Sequence, residues 1–160
     1  MKFVVSSNTL LTRLQAVSKV IGGKPVQPIL DNILLVATEG VLYATASDKE
    51  TTMEARIELE SLEEEGKITI SAKILLDILK EFPEQPLTFE INTETNEVKI
   101  ISEKGEFSVP GESAEDYPIQ AALNDSSNDL TSKCGLILEG IVKTIFATAN
   151  DDLRPVMNCI

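Results

Sequence analysis

No histidine and no tryptophan occur in the 160 residues, cysteine appears twice, and aromatics make up only 4% of the chain. Each shortage removes a class of function. Without histidine there is no Ser-His-Asp or Cys-His nucleophile system, no His-ligated zinc, and no side chain that ordinarily titrates near neutral pH. So few aromatic faces leave no stacking platform for single-stranded nucleic acid. Cys134 and Cys159 lack the C-x-x-C spacing of a metal or redox motif. They fit reduced, partly buried thiols better than a disulfide framework. The amino terminus carries Lys2 but only a short apolar run, too short for a signal peptide or a membrane span, so a cytoplasmic location is the default.

Acid is also missing, but only locally. The chain has 26 acids against 14 cations, a net charge of −12, yet Met1–Leu30 contains no Asp or Glu. That stretch carries Lys2, Arg13, Lys19 and Lys24 instead. An acidic body that keeps one surface free of negative charge suits a polyanion partner. The competing explanation is a chance gap in the acids, helped by an apolar first helix.

What is present is an ordinary soluble composition, 42% apolar and 25% charged, with length for one full domain and something left over. Carboxylate chemistry stays open: Asp48 and Glu50 form a D-x-E, and Glu115-Asp116 and Asp151-Asp152 are adjacent acids. Each could hold Mg²⁺ through oxygen ligands. A Mg²⁺-dependent nuclease or phosphotransfer enzyme using Asp48 and Glu50 is therefore the first alternative. An acidic interaction module with no nucleic-acid role is the second. No site converges in the sequence, so neither a catalytic residue nor a cofactor is assigned.

An internal repeat organises the chain. At a constant offset Phe3 meets Ile68, Val5 meets Ile70, and Ser6 meets Ser71. Leu10, Leu11 and Leu14 then meet Leu75, Leu76 and Leu79, and Val17 meets Phe82. Each copy reads as a short alternating strand, a Ser suited to helix capping and an amphipathic helix. Three strand-like segments follow each helix: residues 33–38, 41–47 and 51–60 in the first copy, and 87–91, 98–101 and 106–109 in the second. Turns are expected at Glu39-Gly40, at 93–96 and at Lys104-Gly105. In the third strand Met53, Ala55, Ile57 and Leu59 are expected to face inward, with Glu54, Arg56, Glu58 and Glu60 in water.

The predicted fold is α+β, a doubled βαβββ unit with two helices on antiparallel sheets, over residues 1–118. Residues 119–133 read as a linker. At 134–160 a second domain of the same kind begins, with a strand at 135–138, a helix carrying Ile141, Val142, Ile145 and Phe146 on one side, and a strand-like 156–160. A lone strand-helix-strand cannot bury its apolar face, so a longer natural protein is expected.

At about 100° per residue the first helix buries Leu10, Leu14, Val17 and Ile21 and shows Asn8, Thr12, Gln15 and Lys19 on the opposite face. The second buries Ile74, Leu75, Ile78, Leu79 and Phe82, with Lys73 and Lys80 two turns apart opposite them and Asp77 alongside. Lys73 matches Asn8 and Lys80 matches Gln15, so equivalent faces are neutral in one copy and basic in the other. The loop Gly22-Gly23-Lys24-Pro25 adds a further cation. Such a surface lacks an Arg-rich groove helix for base readout and would touch phosphates without sequence preference.

The ordered set Met1-Lys2-Phe3, Gly22-Gly23-Lys24-Pro25, Pro28-Ile29-Leu30, Asn32-Ile33-Leu34-Leu35, Ala46-Ser47-Asp48, Glu54-Ala55-Arg56 and Asp116-Tyr117-Pro118 resembles the first domain of the bacterial sliding clamp family, the DNA polymerase III beta subunits. Thr144-Ile145-Phe146-Ala147 followed by Arg154-Pro155 resembles the opening of that family's second domain. The resemblance implies a DNA-clamp fold and a homodimeric ring around duplex DNA. Helices would line the hole and sheets form the wall. It implies no enzymatic activity and no cofactor. It also implies partners in a second clamp protomer, DNA polymerase III and clamp-loader subunits, with no membrane.

Carried over by resemblance, Lys24, Lys73, Lys80, Lys19 and Arg13 face DNA. Phe107, Val109 and Ile74 serve ring closure, and Arg154 and Met157 begin a groove for partner peptides. Two departures stand out: Asp151-Asp152 places acid beside a DNA-proximal loop, and Cys159 sits where the family commonly has Gly.

Overall fold

The computed structural model describes residues 1–22, 27–118, 131–149 and 154–158. Backbone contacts divide the chain into two compact units, Met1–Gln120 and Ala121–Ile160. In the first, β1 (Lys2–Ser6) leads into α1 (Ser7–Val17), followed by β2 (Asn32–Thr38), β3 (Val41–Ser47), β4 (Thr52–Glu58) and β5 (Ser61–Glu64). Then β6 (Gly66–Ser71) leads into α2 (Ala72–Lys80), followed by β7 (Pro86–Asn92), β8 (Glu97–Ser102) and β9 (Gly105–Glu112). The predicted doubling is observed.

The halves are interlocked rather than side by side. The first strand of each copy pairs antiparallel with the second strand of the other: Phe3 lies opposite Phe89 and Val5 opposite Leu87, as Ile68 lies opposite Leu35 and Ile70 opposite Ile33. The Phe3 and Phe89 rings stack at 5.0 Å, joining the halves through the core. All nine strands run in one sheet ordered β4-β3-β2-β6-β9-β8-β7-β1-β5. Its inner face, with Ile33, Leu35, Ile68, Ile70, Phe3 and Phe89 buried, packs against Leu10, Leu14 and Val17 of α1 and Leu75 and Leu79 of α2.

The third strand of the first copy is where the fold departs from the sequence pattern. Instead of one strand over 51–60 there are two. β4 pairs with β3, the chain then kinks at Leu59-Glu60, and β5 returns to pair with β1. β9 does the same within one element, pairing with β8 through Pro110 and then with β6 at Gly111 and Glu112. Both kinks are pinned alike: Leu59 N–H donates to Gly40 O at 3.0 Å, and Gly111 N–H donates to Asn96 O at 2.8 Å. Met53, expected to face inward, is 43% exposed on the sheet's outer strand, while Ile57 of the same strand is buried. The turn residues Glu39 and Gly40 both have positive φ (50° and 78°), which matches the right-handed twist of the strands they join.

Ser6 caps α1, its Oγ accepting from Thr9 N–H at 3.4 Å. Ser71, at the equivalent position, makes no side-chain capping bond. α1 ends at Val17 and passes into a 3₁₀ turn, so Ile21 lies beyond the helix and is only partly buried.

In the second unit α3 spans Cys134–Thr144, so the predicted strand at 135–138 is helical. Short apolar runs of this kind suit either state, and period alone does not separate them. Ile145–Ala147 and Pro155–Asn158 are 3₁₀ turns, the latter replacing the described part of the expected strand. Ile141, Val142, Ile145 and Phe146 are all exposed within this unit, as is Cys134, against the expectation of a partly buried thiol. Lys24, Asp151-Asp152, Cys159 and residues 119–130 of the expected linker lie outside the described residues.

Candidate nucleic-acid interface

α1 and α2 pack against one another, and their buried faces turn toward the sheet. Asn8, Thr12, Gln15 and Lys19 are all exposed on or just beyond α1, and Lys73 and Lys80 are exposed on α2. No acid occurs in the first turn of either helix. Lys80 Nζ pairs with Asp77 at 3.1 Å, both side chains more than half exposed. An exposed pair of this kind is worth at most ~1 kcal/mol, so it yields readily to a phosphate. Lys73 makes no ion pair among the described residues.

The other early cations separate. Lys2 is engaged by Glu63 at 3.0 Å and Glu90 at 3.3 Å, and Glu63 and then Glu90 raise its pKa above the ordinary lysine value. The acid-free stretch therefore does not form one surface. Arg13 lines a groove of about 430 Å³ between α1 and β4, with Ser6, Thr9, Arg56, Ile57, Glu58 and Glu60, off the line of Asn8 and Gln15. Sequence reasoning missed this groove, because only the packing of α1 on β4 brings Arg56 near Arg13.

At the β9 edge the two predicted ring-closure residues part company. Phe107 is 45% exposed, whereas Val109 is 2% exposed and belongs to the core. They share a face and lie opposite buried Val98 and Ile100, yet Val109 joins the core while Phe107 stays open to solvent. Ile74, expected from the helical pattern to be buried, is 42% exposed. β6 meets β9 only at Gly111 and Glu112, so Gly105–Pro110 has a strand on one side alone. Phe82 meets Phe107 edge to face at 5.3 Å.

Arg154 and Met157 are exposed in the second unit and joined by a turn, Met157 N–H donating to Arg154 O at 2.9 Å. Of the two acids of the enzyme alternative, Asp48 is engaged by the backbone of its own turn. Asp48 Oδ1 accepts from Glu50 N–H at 3.0 Å and Thr51 N–H at 2.6 Å, closing the β3–β4 turn. Among the described residues no three His, Cys, Asp or Glu converge as metal ligands, and no helix is long and apolar enough to cross a membrane.

Tyr117 stands out in the sequence only as part of a motif. Its side chain is buried over β2 and β3, the OH donating to Asn32 O at 3.4 Å or Thr45 O at 3.3 Å, and burial raises its pKa.

Two helices on one face of a sheet built from interlocked βαβββ repeats define an α+β domain of the DNA-clamp fold. The family model for the DNA polymerase III beta subunit, N-terminal domain, matches residues 1–122. The chain is 34% identical to the beta sliding clamps of Vibrio cholerae and Escherichia coli over 160 residues, covering 99% of this chain and 43% of theirs. A beta sliding clamp of Vibrio harveyi is 36% identical over 119 residues, and 81% of it is covered. Among solved structures, the DNA polymerase III subunit beta of Pseudomonas aeruginosa superposes with a TM-score of 0.88 at 28% identity. The sliding clamp of Bacillus subtilis does so at 0.89 and 26%, each match covering 42% of the solved chain. The chain belongs to the DNA polymerase III beta subunit family, through its N-terminal domain.

Proposed function

We propose that this chain is the first domain and part of the second of a DNA sliding clamp. The whole protein encircles duplex DNA as a ring of two protomers and tethers the replicative polymerase. It performs no chemistry and needs no cofactor or metal. The observation that carries this reading is the paired helices: within a chain of net charge −12, their outward faces are neutral on α1 and basic on α2. Lys73, Lys80 and Lys19 form the described DNA-facing set, with Lys24 proposed beside them. Arg13 reaches the duplex only from the rim of its groove.

The open edge of β9, with Phe107 and Ile74, is the ring-closing surface, and Val109 supports it from the core. Arg154 and Met157 begin the groove for peptides of DNA polymerase III and clamp-loader subunits. The protein works in the cytoplasm. The first domain spans residues 1–118, a linker 119–133, and the start of the second domain 134–160, where α3 leaves its apolar residues exposed.

A topological tether and a static binder respond differently to DNA ends. Loaded on a closed circle, the whole protein should remain bound, and cutting the circle should release it by sliding. Equal retention on circular and linearised DNA would contradict the ring.

A further inference from the structure

A buried polar cluster in the first unit joins elements far apart in sequence. Ser7, the first residue of α1, is 2% exposed. Its hydroxyl donates to Pro83 O at 2.8 Å and accepts from Gln85 N–H at 3.0 Å. Its own N–H, which a helix start leaves without an internal partner, donates to Gln85 O at 2.9 Å. Gln85 is buried too, and its Oε1 accepts from Glu103 N–H at 3.3 Å in the β8–β9 turn. The start of α1 thus grips the segment that leaves α2, and the packed helices run antiparallel.

The repeat shows that the fold does not demand this clamp. Ser7 matches Ala72, which carries no hydroxyl, and residues 18–31 separate α1 from β2 where only 81–85 separate α2 from β7. The helix whose exit is clamped is also the one with a cation in its last turn: Lys80 ends α2, and α1 has none there. Past Lys80 the turn is closed by Glu81 N–H on Ile78 O at 3.1 Å and a long bond from Phe82 N–H to Leu79 O at 3.4 Å. A helix end held this loosely frays, and ordering a lysine on it at the moment of binding lowers affinity.

From this we infer that Ser7 is a positioning residue for Lys80: it fixes the exit of α2, and so the place at which Lys80 meets a duplex phosphate. The inference rests on the DNA-facing reading above and deepens it. Lys73 lies in the first turn of the same helix, about 10 Å away along its axis, outside the reach of the clamp. The two lysines therefore separate positioning from general support of the fold.

The test is a pair of double-mutant cycles on the duplex affinity of the whole 160-residue chain at low salt, Ser7→Ala with Lys80→Gln and Ser7→Ala with Lys73→Gln. Alanine stands at the matching position of the second half, so Ser7→Ala is expected to fold. Each lysine variant alone should weaken binding and reduce the salt slope by about 0.9. Ser7→Ala should weaken binding about two- to fivefold, lose that effect when Lys80 is already glutamine, and keep it when Lys73 is. Coupling to both lysines alike, or to neither, would make Ser7 a support of the fold only and overturn the positioning role. If Lys80→Gln leaves affinity and slope unchanged, the DNA-facing reading of Lys80 falls and the inference with it. Amide exchange gives a check that needs no substitution. The Gln85 N–H should exchange as slowly as the core amides of β7, and rapid exchange there would show the clamp to be open and overturn the inference.

Discussion

The two halves of the first unit share strand pairing and kinks but differ on the surfaces they turn outward. α1 shows Asn8 and Gln15 where α2 shows Lys73 and Lys80, and the β4 edge carries Ala55 where the β9 edge carries Phe107. Inside, the matches hold closely: Leu10 with Leu75, Leu14 with Leu79, and Ile57 with Val109 are all buried. The shared interior specifies the fold. The unshared exterior is where the proposed contacts lie, on the lysines of α2 and on exposed Phe107.

The comparison can be broken first at the core. Phe89→Ala removes the ring that stacks on Phe3 and should cost about 3–5 kcal/mol. Because each half supplies a strand to the other, urea unfolding should stay a single transition. Exchange that persisted in one half after the other had unfolded would show the interlock to be looser than the register implies.

A second difference lies at the kinks. A Cβ on Gly111 would sit 2.9 Å from Asn96 O and 3.1 Å from Thr69 O, whereas its counterpart Leu59 already carries a side chain. Gly111→Ala should cost about 1–3 kcal/mol by overpacking backbone that cannot retreat. A neutral result in thermal unfolding would mean that β6 and β9 separate easily.

The helix starts differ next. Ser6→Ala removes a cap and should cost about 1 kcal/mol, while Ser71→Ala, which removes none, should be near neutral. Equal losses in denaturant titrations would contradict the asymmetry.

Smallest is a pH effect at Tyr117. Burial raises its folded pKa above the ordinary value of 10.0, so the proton is held more tightly in the folded chain. Stability from this group is complete below pH 10 and falls as pH rises through the folded pKa. Tyr117→Phe should flatten the alkaline limb of the stability curve, and an unchanged limb would assign it to other groups.

Much of this is legible in the sequence because a repeat compares a chain with itself. The alternation at Phe3-Val5 and Ile68-Ile70 and the leucine spacing of both helices carry the doubled unit. The kink that splits β4 from β5 is not legible, since alternation continues through Leu59 while the pairing partner changes. Ile74 defeats the pattern because helical periodicity gives the direction of the buried face, centred on Leu75 and Leu79, and not its width. The same limit hides Val109's burial behind its alternation with Phe107. The second unit misleads most: residues 135–138 form a short apolar run that helix and strand both tolerate.

The central claim, that the paired helices face duplex DNA and that the second half supplies their charge, is tested most directly by salt dependence. Duplex binding by the chain should be weak and indifferent to sequence, with log K falling linearly against log salt. Reversing Lys73 and Lys80 to Glu should lower the affinity and reduce the slope by about 0.9 for each phosphate no longer neutralised. Lysines placed at the equivalent positions of the first half, Asn8 and Gln15, should steepen the slope by a similar amount. Binding that ignored salt, or that kept its slope after both lysines were reversed, would contradict the account.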